Sequence, residues 1–155
     1  MTKFAEGTSV PVEKSRSEIE KMITRYGAAS TAFMNAPGRA VILFECQGRR
    51  IMFTLPLPQV TDNKFSYDGR RKLRPQHKRQ EAWEQACRQR WRALALVIKA
   101  KLEAVESGIT TFEDEFLAHI VLPEGGTVGA YLRPRLAAIY DEGKMVPLLP
   151  APANS

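Results

Sequence analysis

Apolar residues along this chain repeat with two different periods. Ile19, Met22, Ile23 and Tyr26 stand at i, i+3, i+4 and i+7, the spacing that gathers on one side of an α-helix. Ser15 and Glu18 have the spacing of a capping box, and Gly27 stands where a left-handed residue closes a helix. A three-turn helix is therefore expected from Ser15, after a flexible arm over residues 1–14. The period then changes to two. Ala29 to Met34 reads as a strand, Asn35-Ala36-Pro37-Gly38 as a turn, and RAVILFECQ and RRIMFTLPL as two strands joined at Gln47-Gly48. Ala40, Ile42, Phe44 and Cys46 would share one face with Ile51, Phe53 and Leu55 across the hairpin. Val41, Leu43 and Met52 leave the opposite face partly apolar, so a helix or another subunit is expected to cover it. Pro56 and Pro58 end the third strand.

Beyond a long polar loop over residues 59–76, the helical period returns. Trp83, Cys87, Trp91, Leu94, Ile98 and Val105 recur at helical steps from Pro75 to about Ser107, where Gly108 closes the run. Thirty residues at about 1.5 Å each span about 45 Å, more than a three-stranded sheet needs. The helix is therefore expected to curve, protrude or be shared with a neighbour. Thr110 or Thr111 caps a following helix with Phe112, Phe116 and Ile120 on its apolar side. Pro123-Glu124-Gly125-Gly126 breaks it. Thr127 caps a last helix carrying Val128, Leu132, Leu136, Ile139 and Tyr140, with Pro134 forcing a kink or restart. The fold class is α+β: an N-terminal helix, a three-stranded antiparallel meander, a long helix packed on the sheet, and C-terminal helices. One domain over 15–145 with an extended tail over 146–155 accounts for the 155 residues.

Charge adds what periodicity does not show. The chain carries net +6, unevenly placed. Residues 49–101 hold 14 basic and 4 acidic side chains, whereas residues 102–155 hold 3 basic and 8 acidic. Such asymmetry speaks to partners rather than to fold. No apolar run approaches the 18 or so residues of a membrane span, and the opening MTKFAEGTSVPVEK has no leader-like apolar stretch. Cys46 and Cys87 lie far apart, without a second Cys or His at metal spacing, and read as small buried hydrophobes in a reducing compartment. A cytoplasmic protein is expected.

The best candidate for chemistry is the basic loop. Lys64, Arg70, Arg71, Lys72, Arg74, Lys78 and Arg79 are interrupted by a single acid, Asp68, with Phe65 and Tyr67 inside the run. Cations for phosphates interleaved with rings for unstacked bases suit single-strand binding. The plain alternative is that the rings anchor the loop and the charges are solvated. At 100° per residue, Arg88, Arg92 and Lys99 fall within about 40° of one another. They form a ladder that either tracks a phosphate chain or pairs with acids of the C-terminal third. Arg49 and Arg50, at the hairpin turn, are a third candidate contact. Trp83 and Trp91 read as core anchors, and His77 as a polar loop residue. His119 lies four residues after Glu115 with no nucleophile nearby, and Asp62 with Asp68 is too sparse for a nuclease. No Walker-type loop, zinc pattern or paired metal carboxylates occur in the sequence, so neither an enzyme nor a cofactor is expected.

The stretch AWEQACRQRWRALALVIKAKLEAVESGITTFEDEFLAHIVLP, with RYGA and FTLPLP before it, resembles a family of small phage and prophage proteins of largely unassigned role. The resemblance implies association with phage replication and recombination genes, in a bacterial host cell. Separately, the order helix, meander, long helix is similar in architecture to phage single-strand annealing proteins of the Red-beta type. The expected function is sequence-independent single-stranded DNA binding in annealing, strand protection or replication, by a homo-oligomer whose acidic C-terminal third meets a neighbour's basic middle. The alternative is a protein-interaction module that docks on a host or replication protein.

Overall fold

The computed structural model describes residues 5–145 together with 147 and 148. The first helix, α1, spans Val12–Tyr26. It starts three residues earlier than the capping-box pattern suggested, with Pro11 at the N-cap and no side-chain cap. Ser15 is fully buried instead, inside the first turn, and Ile19 and Ile23 are buried on the same helix. A small side chain at Ser15 suits close helix packing, which overrides the local capping preference. Gly27 closes α1 at φ 113° as expected.

Three antiparallel strands follow in the order β1-β2-β3: β1 Ser30–Ala36, β2 Arg39–Cys46 and β3 Arg49–Pro56. Gln47 and Gly48, at φ 49° and 71°, form the tight turn between β2 and β3. Two successive positive φ values give a turn whose twist matches that of the strands. Ala40, Ile42, Phe44, Cys46, Ile51, Phe53 and Leu55 are buried on one face. Their alternation with half-buried and exposed positions is the period-two pattern of the sequence made physical.

The long helix α3 runs Gln76–Glu106. Trp91, Leu94, Ala95, Ile98 and Leu102 bury their side chains in the core with α1 and the inner face of the sheet. Trp83 and Cys87, nearer the start, are only half-buried. The Trp83 indole donates to the carbonyl of Pro58 just beyond β3, so the first turns of α3 reach past the end of the sheet. Gln85 donates to the Thr8 carbonyl and Arg92 pairs with Glu18. These contacts make α1 and α3 run in the same direction and tie part of the expected N-terminal arm to the domain.

The C-terminal third departs most from the periodic reading. Thr111 caps α4, Phe112–Phe116, by accepting from the Asp114 amide. The helix then tightens into a 3₁₀ turn, Leu117–His119, and ends. Ile120 is not on a helix: it bridges to Ile51, and the Val121 amide bonds the Arg50 carbonyl, covering the outer edge of β3. Thr127 caps α5, Val128–Glu142, which passes through Pro134 as one helix with no buried residue. Met1 to Phe4 and most of the expected tail, 146 and 149–155, lie outside the described residues. Among the described residues no helix is long and apolar enough to cross a membrane.

Candidate nucleic-acid interface

The loop between β3 and α3 is folded. Gln59 donates to the Asp62 carboxylate, and Asp62 precedes a single helical turn, α2, Asn63–Ser66. Beyond it the chain closes a small ribbon in which Tyr67 bridges Leu73, the Asp68 amide bonds the Lys72 carbonyl, and the Arg74 amide bonds the Ser66 carbonyl. Asp68 organises the tip. Its Oδ1 accepts from the Arg70 amide at 2.8 Å and from the Lys72 amide at 2.9 Å, while Arg71 takes a left-handed φ of 61°. This is Asx-turn chemistry, in which a short carboxylate stands in for backbone acceptors. The one acid in the basic run therefore shapes it.

Arg70, Arg71 and Lys72 stand exposed at the tip of this finger. Tyr67 and Leu73 flank it, 51% and 65% exposed. Phe65 corrects the stacking expectation: only 5% exposed, it is taken up where α2 packs on α3, with the Lys64 ammonium 5.1 Å from its ring centroid. Leu73 belongs to the tip although it carries neither a charge nor a ring, the two features that mark a nucleic-acid contact in a sequence.

Arg74, Lys78 and Glu81 line an open cleft of about 500 Å³ with Asp68, Leu73 and Pro75. Lys78 pairs with Glu81 at 3.3 Å, but both groups are more than half exposed, so the pair holds the ammonium weakly. Arg79 is half-buried, with its Nε buried and unbonded by any described group. Pro75 caps α3 without a side-chain bond to the first-turn amides. The positive end of a 31-residue helix thus adds to the field at the base of the finger.

The other candidate cations divide. Arg92 is held by Glu18 across the α1–α3 contact. Arg88 bonds the Gln85 side chain. Lys99 is exposed and lines a groove of about 390 Å³ with Lys21, Arg25, Glu103 and Glu106. The ladder is thus interrupted at its centre, and its partner is an acid of α1 rather than of the C-terminal third. Arg49 does pair with that third, at 3.6 Å from Glu113, as Lys101 does at 3.3 Å from Glu115. Arg49 and Arg50 begin β3, whereas the finger follows its far end. At about 3.4 Å per residue the strand puts them about 20 Å from Pro56, where the chain leaves for the finger. They do not form one continuous track with the finger.

Glu115 and His119 do not work as a pair. His119 stacks on Phe53 with ring centroids 4.1 Å apart, while Glu115 holds Lys101. Burial, then the nearby Lys101 charge, pushes the His119 pKa below its ordinary value. Burial also pushes the Cys46 and Cys87 thiols up, away from the reactive thiolate. Among the described residues, no three His, Cys, Asp or Glu side chains gather as a metal site would need.

Fold and site together define an α+β domain that carries a carboxylate-braced cationic finger at one end of its sheet. No protein-family model matches this chain, and comparison with curated proteins and with solved structures finds no match to it.

Proposed function

We propose that the protein binds single-stranded DNA without regard to sequence, in phage recombination or replication, through the finger at residues 67–73 and the first turns of α3. The observation that carries this reading is the contrast between two sets of cations. Arg92 and Lys101 are engaged by Glu18 and Glu115 in part-buried pairs. Arg70, Arg71 and Lys72 instead stand exposed around a backbone fixed by Asp68. Crowding like charges on a braced loop costs self-repulsion, which an anionic chain relieves. Tyr67 is the ring left to stack a base, since Phe65 is buried.

Anisotropy titration of a labelled single-stranded oligonucleotide tests it. Replacing Arg70, Arg71 and Lys72 together by Ala is expected to weaken binding by on the order of tenfold or more at low salt. Tyr67→Ala removes one stacked base, about 1–3 kcal/mol. Unchanged affinity in the triple variant would sink the assignment.

A second reading, a module that docks on a host or replication protein, is favoured by α5. That helix leaves Leu136 and Tyr140 exposed, the latter by 85%. Loss of a protein partner on Tyr140→Glu, with oligonucleotide affinity intact, would separate the two readings.

A further inference from the structure

The sheet buries only one face among the described elements. On the other, the strand register sets out a grid of four rows: Ser30, Glu45 and Arg50; Ala32, Leu43 and Met52; Met34, Val41 and Thr54; Ala36, Arg39 and Pro56. The two middle rows are apolar except for Thr54. Met34 is 60% exposed, and Val41, Leu43 and Met52 lie outside the packed core. Of the two end rows, one carries Arg39 as its only charge, and the other carries Glu45 on the same strand with Arg50 beside it on β3. An apolar centre between opposite charges on one central strand suits a self-complementary contact.

We propose that a second copy of this chain covers this face, sheet on sheet, about a two-fold axis running across the strands between the two apolar rows. Charge selects that axis. It reverses the partner's strands, so Arg39 lies over the partner's Glu45 and Glu45 over the partner's Arg39. The same operation sets Met34 over the partner's Ala32 and Val41 over the partner's Leu43, pairing large residues with smaller ones at one end of each row. An axis parallel to the strands would oppose Arg39 with Arg39 and Glu45 with Glu45, which like-charge repulsion disfavours. Three strands of seven or eight residues offer on the order of 400 Å² per copy, about half of what a standard stable interface uses. The dimer is accordingly reversible and concentration-dependent.

Sedimentation velocity on the whole chain, from low micromolar to millimolar, provides the test, with thermal melts to show that each variant folds. The wild type is expected to pass from monomer to dimer, and Leu43→Glu to remain monomeric. Arg39→Glu and Glu45→Arg should each weaken association by about three- to tenfold, and the double variant should restore it, because the reversed charges meet again. Glu45 also faces Arg50 and accepts from Ser30 within its own sheet, which is why rescue by the double variant carries more weight than either single loss. A wild type monomeric throughout, a dimer indifferent to Leu43→Glu, or a double variant no better than the singles overturns the proposal. So does a monomeric wild type whose Leu43→Glu form loses a single-stranded oligonucleotide, since the face then belongs to nucleic acid.

Discussion

At the scale of single residues, three side chains depart from what their type suggests. Ser15 sits in a capping-box pattern, yet its hydroxyl is buried without a hydrogen-bond partner among the described groups. A cap lost to Ala costs about 1 kcal/mol, whereas deleting a buried unsatisfied hydroxyl returns about 1–3 kcal/mol. Ser15→Ala is therefore expected to raise the denaturation midpoint, and a lowered midpoint would restore the capping role. Asp68 poses a similar contest of sign. By charge alone Asp68→Ala should strengthen binding to an anion; by geometry it releases the Arg70 and Lys72 amides and unfixes the tip. Geometry wins if oligonucleotide affinity falls by about three- to tenfold, the scale of one or two hydrogen bonds. Burial, then the nearby Lys101 charge, lowers the His119 pKa, so the unfolded chain binds a proton more readily than the folded one. That contribution to stability is fully present above the unfolded value of about 6.5 and is lost as pH falls through it toward the folded value. His119→Phe keeps an aromatic stack and removes the titration. Its thermal midpoint should fall less than that of the wild type between pH 8 and pH 5.

Among the secondary-structure elements, α5 is the separable one. Its main contact is with the 3₁₀ turn 117–119, and Gly129 makes that contact possible. A Cβ at Gly129 would stand 2.9 Å from the Ala118 carbonyl oxygen, and backbone cannot step aside as a flexible side chain can. Gly129→Ala should displace α5 at a cost of about 1–3 kcal/mol. Because α5 buries no residue, protease cleavage near 122–127 should rise steeply while the core's thermal transition moves little. A large drop in the global midpoint would instead make α5 part of the cooperative unit. The elements legible in the sequence are those whose signal is local: the meander from its period of two and its Gln47-Gly48 turn, and α3 from its stripe. Ile120 and Val121 escaped because two residues at the edge of β3 make no periodic pattern. The finger escaped because its order lies in backbone bonds to Asp68, which composition cannot display. Phe65 was misplaced for a related reason, since its partner is a helix surface that forms only once the loop folds back.

For the molecule as a whole, the question is which cations remain available after folding. Sequence alone located the positive excess in residues 49–101 but could not assign ion pairs between residues as distant as Arg92 and Glu18. Folding divides the excess, leaving Arg49 beside Glu113 at one end of the sheet and Arg70, Arg71 and Lys72 around Asp68 at the other. Salt dependence reads that division. For a single strand, log K falls by about 0.7 per log unit of salt for each phosphate neutralised. The triple Ala variant at 70, 71 and 72 should therefore flatten the slope by about 2, while Arg49→Ala with Arg50→Ala leaves it where it was. Equal flattening by both variants would mean that the bound strand runs the length of the sheet, and the finger would then be one contact among several rather than the site.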